Sequence, residues 1–390
     1  MENPVYEERR QFLRTAAVVG GGAAVGIVPT LAGCGAEAQG ASPASVRFPE
    51  PLRPGAIIGI TSPSAGVKSV LRPRMQFAYQ TLRGLGYVCQ EGQCLWGETL
   101  QSAPARDRAA ELQRMLLDPA IAAVFPPDGG ELLIDILPFI DFEALGRARP
   151  KWIIGYSDLS TFMLPYALRT GIASLSGTNV WESPIYPTDP NLAYWHAVAT
   201  LAPGSAFDQR AAALYQPHDS DWDKLPPETR QFDRTAPVRW KCLSHEDDPA
   251  YAVAASGRLI GGTLDVVAML CGSEYGDVAG FARSYAPEGL LVYLDSCDFN
   301  TAQYCRALHL LRLAGWFDAA KAVLVGRTAA ETVEGFTPRD ALLDALGGLS
   351  VPVIYDMDIG HLPPQLMLVN GAAATLTFGP TEKAMRQTLA

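Results

Sequence analysis

The chain has 390 residues, 48% hydrophobic and 18% charged, with a formal net charge of −10 at pH 7. This composition is typical of a globular protein longer than one ordinary domain, and it argues against extensive disorder. Nucleic acid is excluded as a class of partner, because the chain lacks the basic clusters that phosphate contacts require.

Residues 1–34 have the features of an export signal. Arg9 and Arg10 precede Phe12 and Leu13, an order that resembles a twin-arginine signal. The Gly/Ala-rich stretch at 16–31 is too short and too weakly hydrophobic for a comfortable bilayer span. It ends in "LAGC", which is similar to the lipidation box of bacterial lipoproteins. We therefore expect export to the periplasm or cell surface, with a lipid on Cys34 as the membrane anchor. A plain cleaved signal or a single anchor helix is the alternative.

Residues 35–50 are small and polar and indicate a flexible tether. The six cysteines that follow would permit three disulfides in an exported protein, but buried free thiols fit equally well. They are Cys89, Cys94, Cys242, Cys271, Cys297 and Cys305. No C-x-x-C pair is present and no two histidines have metal-ligand spacing, so we predict no metal and no other cofactor.

Residues 51–178 predict an N-terminal α/β domain. Apolar strands are expected at 56–64, 87–90, 121–127 and 151–155, and helices at 70–85, 105–119, 132–141 and 159–171. This alternation predicts a mostly parallel sheet covered by helices on both faces. Reactive groups in such sheets lie at the carboxyl ends of strands. The Ser-rich turn at 61–64, the pair Gly129–Gly130 and the segment 155–158 all follow predicted strands.

Two further regions complete the chain. Residues 179–250 are rich in Pro, Trp, Tyr and Asp, have weak periodicity, and indicate an irregular connection. Residues 251–390 predict a second domain of mixed α/β character. Its expected elements are a two-Gly turn leading into a helix (257–276), strands at 289–295 and 321–327, a helix at 301–317, and a β-rich end.

"KWIIGYSDLS" at 151–160 places Ser157 between an apolar strand and a predicted helix. A strand-to-helix turn exposes a hydroxyl and puts the next backbone N–H, that of Asp158, at a helix N-terminus, where negative charge is favoured. The elbow signature would have Gly two residues after the Ser, and this chain has Leu159. Ser157 is therefore a candidate nucleophile. The alternative is that Ser157 or Asp158 only caps the helix.

A serine nucleophile needs a base, and His361 is the favoured candidate. It lies in a loop that directly follows the strand "VPVIY", a rigid mount for a catalytic group. A carboxylate must orient the imidazole, and Asp295 at the end of "LLVYLD" is the first choice, with Asp298 and Asp358 as alternatives. The other histidines occur in the irregular connection, a polar loop and an amphipathic helix: His196, His218, His245 and His309.

Six motifs follow one another between residues 54 and 375: "TSPSAG", "DGGELL", "IIGYSDLS", "GRLIGGTLD", "LLVYLDS" with "RALHLLRLAGWF" downstream, and "DIGHLPP". In order and rough spacing they resemble the LD-carboxypeptidases, a family that includes the microcin C immunity peptidases. The resemblance implies a serine peptidase with a Ser–Glu–His triad and a homodimeric assembly. It implies a Rossmann-like, parallel-sheet N-terminal domain that carries the serine. A β-containing α/β C-terminal domain would carry the acid and the histidine.

By this resemblance Ser157 is the nucleophile and His361 the base. The N–H of Asp158 and one of Gly129 or Gly130 would form the oxyanion hole. Asp295 stands where the family has Glu and is shorter by one C–C bond, roughly 1.5 Å. It therefore reaches the imidazole only if the backbone or the ring lies closer than in the family.

Two other departures bear on the substrate and on the location. The Gly pair is flanked by Asp128 and Glu131, where murein-cleaving members commonly have Arg and an aromatic residue. Glu131 would disfavour an anionic substrate end if it faced the site. The export signal also differs from the cytoplasmic peptide recycling that is usual for the family.

Together these features predict an exported serine carboxypeptidase or amidase. Its substrate would be a small murein-like peptide, cleaved at an L,D amide bond through an acyl-enzyme. Two alternatives stay open: an amidase acting on peptide-nucleotide or other modified amides, and a non-catalytic surface lipoprotein that binds cell-wall peptides.

Overall fold

The computed structural model describes residues 44–185 and 189–390. The predicted signal, its Cys34 and part of the predicted tether lie outside the described residues.

Within the described residues the strands are β1 (Ile57–Ile60), β2 (Val88–Glu91), β3 (Ile121–Val124), β4 (Trp152–Gly155), β5 (Ser174–Ser176), β6 (Ala206–Arg210), β7 (Leu214–Tyr215), β8 (Ala236–Pro237), β9 (Lys241–Cys242), β10 (Val253–Thr263), β11 (Leu290–Asp295), β12 (Ala320–Gly326), β13 (Val353–Met357), β14 (Leu368–Asn370), β15 (Ala373–Phe378) and β16 (Lys383–Thr388). The α-helices there are α1 (Arg72–Gly84), α2 (Ala105–Leu117), α3 (Phe142–Arg147), α4 (Ser160–Thr170), α5 (Trp195–Ala199), α6 (Leu264–Val267), α7 (Val278–Tyr285), α8 (Thr301–Leu313) and α9 (Pro338–Leu346).

The first sheet has the strand order β14-β5-β4-β3-β1-β2. Its strands run parallel, except that β14 is antiparallel to β5. Short apolar runs form these strands because helices cover the sheet, and Trp152, Ile153 and Ile154 of β4 are fully buried. The predicted Rossmann-like parallel sheet is confirmed.

The second sheet has the order β6-β16-β15-β10-β11-β12-β13-β9. Strands β10 to β13 are parallel, and antiparallel strands flank them on both sides. The predicted mixed α/β character of the second half is confirmed. Strands β6 and β9 come from the segment 179–250, so that segment also adds the two edge strands of this sheet.

Asn370 joins the two sheets at β14. Its side-chain oxygen accepts a hydrogen bond from the N–H of Gly261 in β10 at 3.1 Å, and its amide nitrogen donates to the Ser174 hydroxyl of β5 at 3.2 Å. The last part of the chain therefore both closes the edge of the first sheet and ties it to the second.

Two local predictions were wrong. Gly261 and Gly262 do not form a turn but continue β10. A Cβ on Gly261 would lie only 1.8 Å from the carbonyl oxygen of Tyr293, so the glycine serves a close approach between neighbouring strands. Residues Leu133–Phe139 form a 3₁₀ segment and not an α-helix; Pro138 lies within it and cannot donate a backbone hydrogen bond.

All six cysteines of the described residues are free thiols. In the same part of the chain, no helix combines the length and the apolar character needed to cross a bilayer.

Candidate active site

Ser157 lies on a strained turn between β4 and α4. It opens a 3₁₀ turn, Ser157–Leu159, with φ of 66°, a left-handed conformation that a residue with a side chain rarely adopts. The N-cap residues of this turn and of α4 are Tyr156 and Leu159, and neither makes a side-chain capping bond. The structure therefore contradicts the alternative that Ser157 only caps the helix.

The buried carboxylate of Asp158 anchors this turn. It accepts hydrogen bonds from the Ser64 hydroxyl at 2.5 Å, the Leu133 N–H at 2.9 Å and the Thr161 hydroxyl at 3.0 Å. Burial raises the pKa of Asp158, and these hydrogen bonds oppose that rise. Three donors from separate segments thus fix the residue whose backbone N–H follows the nucleophile.

Gly129 and Gly130 fit closely against the same turn. A Cβ on Gly129 would lie 2.8 Å from the Ser157 Cβ and 3.0 Å from the Asp158 nitrogen. Gly130 has φ of 133°, and its Cβ would lie 2.5 Å from the Ser64 hydroxyl oxygen. Only glycine permits this close approach of the 129–130 backbone to the turn that carries Ser157.

Asp295 and His361 form a hydrogen-bonded pair. The Asp295 Oδ2 and the His361 Nδ1 are 2.8 Å apart, and the Thr263 hydroxyl donates to the other carboxylate oxygen at 3.0 Å. A Cβ on Gly360 (φ 91°) would lie 2.4 Å from the Asp295 Cβ. Because Gly360 has no side chain, the histidine loop (residues 358–367, between β13 and β14) can approach Asp295 closely. This approach compensates for the Asp side chain, which is one C–C bond shorter than that of Glu.

Arg327 holds the histidine loop from behind. Its guanidinium donates to Asp358 at 2.8 Å and to the carbonyl oxygens of Leu362 and Pro364 at 2.8 and 3.0 Å. Asp358 also accepts from the indole N–H of Trp240 at 2.8 Å. Asp358 is thus committed to a structural ion pair and does not orient His361, which leaves Asp295 in that position.

Ser157 and His361 line one cavity of about 280 Å³. The rings of Tyr156 and His361 contact each other with centroids 4.9 Å apart, and the Tyr156 hydroxyl donates to Glu182 at 2.7 Å. The His361 Nε2 is buried and makes no hydrogen bond, so the nucleophile and the base share the cavity without a direct bond between them. Such bonds commonly tighten only when substrate binds.

Acidic groups set the protonation of this cavity. Burial by itself lowers the pKa of His361, but the hydrogen bond and charge of Asp295, with the charges of Asp219 and Glu182, raise it to about 9. Burial raises the pKa of Asp128 to about 7 and that of Glu182 to about 7. The imidazole is therefore mainly protonated at neutral pH and becomes a free base as the pH rises.

The flanking acids of the Gly pair both line the cavity, and Asp298 lies there with them. Asp298 accepts from the Cys297 thiol at 3.2 Å and does not contact His361 by hydrogen bond. Two groups of possible metal ligands occur within the described residues: Asp265 with Cys297 and Asp298, and Cys305 with His309 and Asp344.

Several contributors were not identified from the sequence. Glu182 and Asp219 line this cavity, and Thr263 donates to Asp295. Their roles depend on packing between segments that are far apart in the chain. Arg327 does carry a signal, because it directly follows the apolar strand β12, where an unpaired charge would be costly.

Comparisons with known proteins identify the family of this chain. The family model for the LD-carboxypeptidase N-terminal domain matches residues 58–177, and the model for the LD-carboxypeptidase C-terminal domain matches residues 256–376. A relative from Vibrio cholerae that carries the name carboxypeptidase is 27% identical over 339 residues, covering 82% of this chain and 92% of its own. The microcin C7 self-immunity protein MccF from Escherichia coli is 25% identical over 337 residues, covering 84% and 92%.

Solved structures show the same fold. MccF in complex with glutamyl sulfamoyl guanosine superposes with a TM-score of 0.72 at 21% identity, covering 87% of this chain and 98% of that one. An MccF-like protein from Bacillus anthracis gives a TM-score of 0.71 at 18% identity, covering 88% and 99%. With both family models matched in order and the fold shared, this chain belongs to the LD-carboxypeptidase family of serine peptidases.

Proposed function

We propose that the chain hydrolyses an amide bond by an acyl-enzyme mechanism in which Ser157, His361 and Asp295 form the triad. The observation that supports this most directly is the hydrogen-bonded Asp295–His361 pair, whose imidazole lines the same cavity as a serine held on a strained turn. Because a carboxylate only accepts, the His361 Nδ1 carries the hydrogen, and Nε2 is the atom that takes the Ser157 proton.

The remaining steps follow from this assignment. The Ser157 oxygen attacks the amide carbonyl, and the N–H groups of Asp158 and of Gly129 or Gly130 stabilise the oxyanion. The imidazolium then donates its proton to the departing nitrogen. Water, deprotonated by the same imidazole, releases the acyl group from Ser157.

The first candidate substrate is an L,D amide bond in a murein-like peptide, and export with a lipid on Cys34 would bring the enzyme to the cell wall. A homodimer belongs to the same proposal. The second candidate is an amide in a peptide-nucleotide. Trp181 and Trp222 line the cavity with ring centroids 6.3 Å apart, and an aromatic pair of this kind offers a stacking surface for a base.

The test is turnover together with covalent labelling. Ser157→Ala should lower amidase turnover by on the order of 10⁶-fold and abolish fluorophosphonate labelling, if the triad acts as a unit. Ser256→Ala, an exposed serine on β10, is the matched control and should keep both. Full activity in Ser157→Ala would refute the mechanism. A wild-type protein that neither labels nor cleaves would favour the non-catalytic, peptide-binding alternative.

Murein tetrapeptide and acylated adenylates, compared on the purified enzyme, separate the two candidate substrates. Trp222→Leu should weaken only the hydrolysis of the adenylate, by about 5- to 100-fold if one base stacks on the ring. An equal effect on both substrates would contradict the stacking role.

A further inference from the structure

A second cavity, of about 260 Å³, meets the first cavity, the one lined by Ser157 and His361, at Ser157 itself. His361 lines the first cavity and does not belong to the described lining of the second. In the proposed mechanism the imidazolium donates its proton to the departing nitrogen, so the leaving group must lie on the side of His361. The acyl side of the substrate, which stays bonded to Ser157, is therefore assigned to the second cavity.

The polar side chains described for the second cavity alone already have hydrogen-bond partners within the protein. They are Asp158, Thr161, Thr263 and Asp265. The two threonine hydroxyls donate to Asp158 and Asp295 at 3.0 Å each. One oxygen of Asp265 accepts from two backbone N–H groups at 2.9 Å each, and its carboxylate also bonds to the Ser296 hydroxyl. A polar substituent of the substrate would therefore gain little from these groups.

The remaining side chains described for the second cavity alone are apolar: Ile134, Val266, Met269 and Phe299. Met269 is 60% exposed and Ile134 is 41% exposed, although both are large. A single exposed apolar side chain is ordinary, but four around one cavity beside a nucleophile are typical of a ligand site. A ligand that covers them removes apolar surface from water, which is favourable.

Acidic groups near Ser157 do not change this expectation. Among the described residues, Glu131 and Asp298 are the acids that line both cavities, and both are exposed. Their charge disfavours an anionic side chain on the acyl residue. Their attraction for a cation is screened by water and salt, whereas contact with apolar side chains is not. Apolar contact is therefore the main interaction that the second cavity offers.

We propose that the second cavity binds an apolar side chain, of the size of leucine or phenylalanine, on the residue whose carbonyl Ser157 attacks. This side chain would cover Ile134 and Met269, and Phe299 and Val266 would contact it from the same cavity. The inference rests on the proposed hydrolase function and adds the class of the acyl residue to it. It concerns the acyl residue alone and is independent of the leaving group.

Amino-boronic acids test the acyl side alone, because boron bonds reversibly to the serine oxygen and no leaving group is present. N-acetylated boronic analogues of leucine, asparagine and lysine compete with fluorophosphonate for Ser157 in the purified protein, and their inhibition constants are compared. Leucine and asparagine side chains have the same shape and no charge, so their difference reports polarity. The leucine analogue should inhibit on the order of 10- to 100-fold more strongly than the asparagine analogue. Rising salt should leave that ratio unchanged.

Variants locate the effect. Met269→Gln and Ile134→Thr should each reduce the preference for the leucine analogue by about 3- to 10-fold, because each makes the cavity more polar at nearly constant size. Met269→Leu should keep the preference. Leu313→Gln is the matched control and should also keep it, because Leu313 on α8 is 85% exposed and lines neither cavity.

The outcomes separate the inference from the function on which it rests. Equal inhibition by the leucine and asparagine analogues, or inhibition by neither, would overturn the inference while labelling of Ser157 still supports a hydrolase. Strongest inhibition by the lysine analogue would also overturn it, because the exposed acids would then decide the specificity. A preference that survives both Met269→Gln and Ile134→Thr would overturn it as well. A wild-type serine that fluorophosphonate does not label would refute the proposed function, and the inference with it.

Discussion

Asp295→Asn tests the link between the acid and the base most directly. Asp295 is 4% exposed and accepts from the His361 Nδ1 at 2.8 Å, and its charge is a main cause of the His361 pKa of about 9. Against the usual value of 6.5, that pKa corresponds to about 3 kcal/mol in favour of the imidazolium. Asparagine removes the charge, while burial, which lowers the pKa of His361, remains.

The assay is the second-order rate of fluorophosphonate labelling of Ser157 between pH 5 and 11, which requires no knowledge of the substrate. In the wild type the rate should rise with pH to a midpoint near 9, because the neutral imidazole is the base. In Asp295→Asn the midpoint should fall by at least about two pH units. The plateau should also drop by on the order of 10⁴-fold, because the amide no longer fixes the imidazole tautomer.

The His309–Asp344 pair provides the control. It has the same chemistry, with a distance of 2.6 Å, but does not line the cavity. Asp344→Asn should leave both midpoint and plateau unchanged. A midpoint that stays near 9 in Asp295→Asn would refute the reasoning, because another group would then hold the proton on His361.

Two further predictions concern the parts that hold the triad. Gly129→Ala places a Cβ 2.8 Å from the Ser157 Cβ, so Ser157 must move, and fluorophosphonate labelling should slow by about 100-fold. Gly84→Ala is the control, because a Cβ there meets nothing within 4 Å. Equal labelling rates in the two variants would contradict the close packing of Gly129 against Ser157. Arg327→Met leaves Asp358 buried without its ion-pair partner and should lower the free energy of unfolding by about 3–5 kcal/mol in urea titrations. An unchanged midpoint in urea would show that Trp240 alone satisfies Asp358.

Local patterns predicted much of this molecule. Apolar runs such as "WIIG" identified the buried strands, and the strand-to-helix position of Ser157 identified the turn that the structure shows. His361 and Asp295 followed from strand ends, where side chains from distant segments converge. Each of these predictions depends on a short local pattern at the end of a strand, which is why it is visible in the sequence.

Other features depend on contacts between distant segments. From the sequence Gly261 is expected in a turn. In the structure it lies in a strand, and the carbonyl oxygen of Tyr293 on the neighbouring strand leaves no room for a side chain. Strands β6 and β9 are short and lack a clear apolar pattern, and they pair with β16 and β13 at the two edges of the second sheet. The close approach of Gly360 to Asp295 could not be seen in the sequence either, because it depends on how two distant loops pack.

The pairing of β14 with β5 has a consequence for the order in which the protein matures. The sheet that carries Ser157 is completed by residues 368–370, which directly follow the histidine loop. On the ribosome, this sheet stays open at β5 until almost the whole chain has been synthesised. The sheet that carries the serine therefore cannot be complete until a segment some two hundred residues after Ser157 has been made.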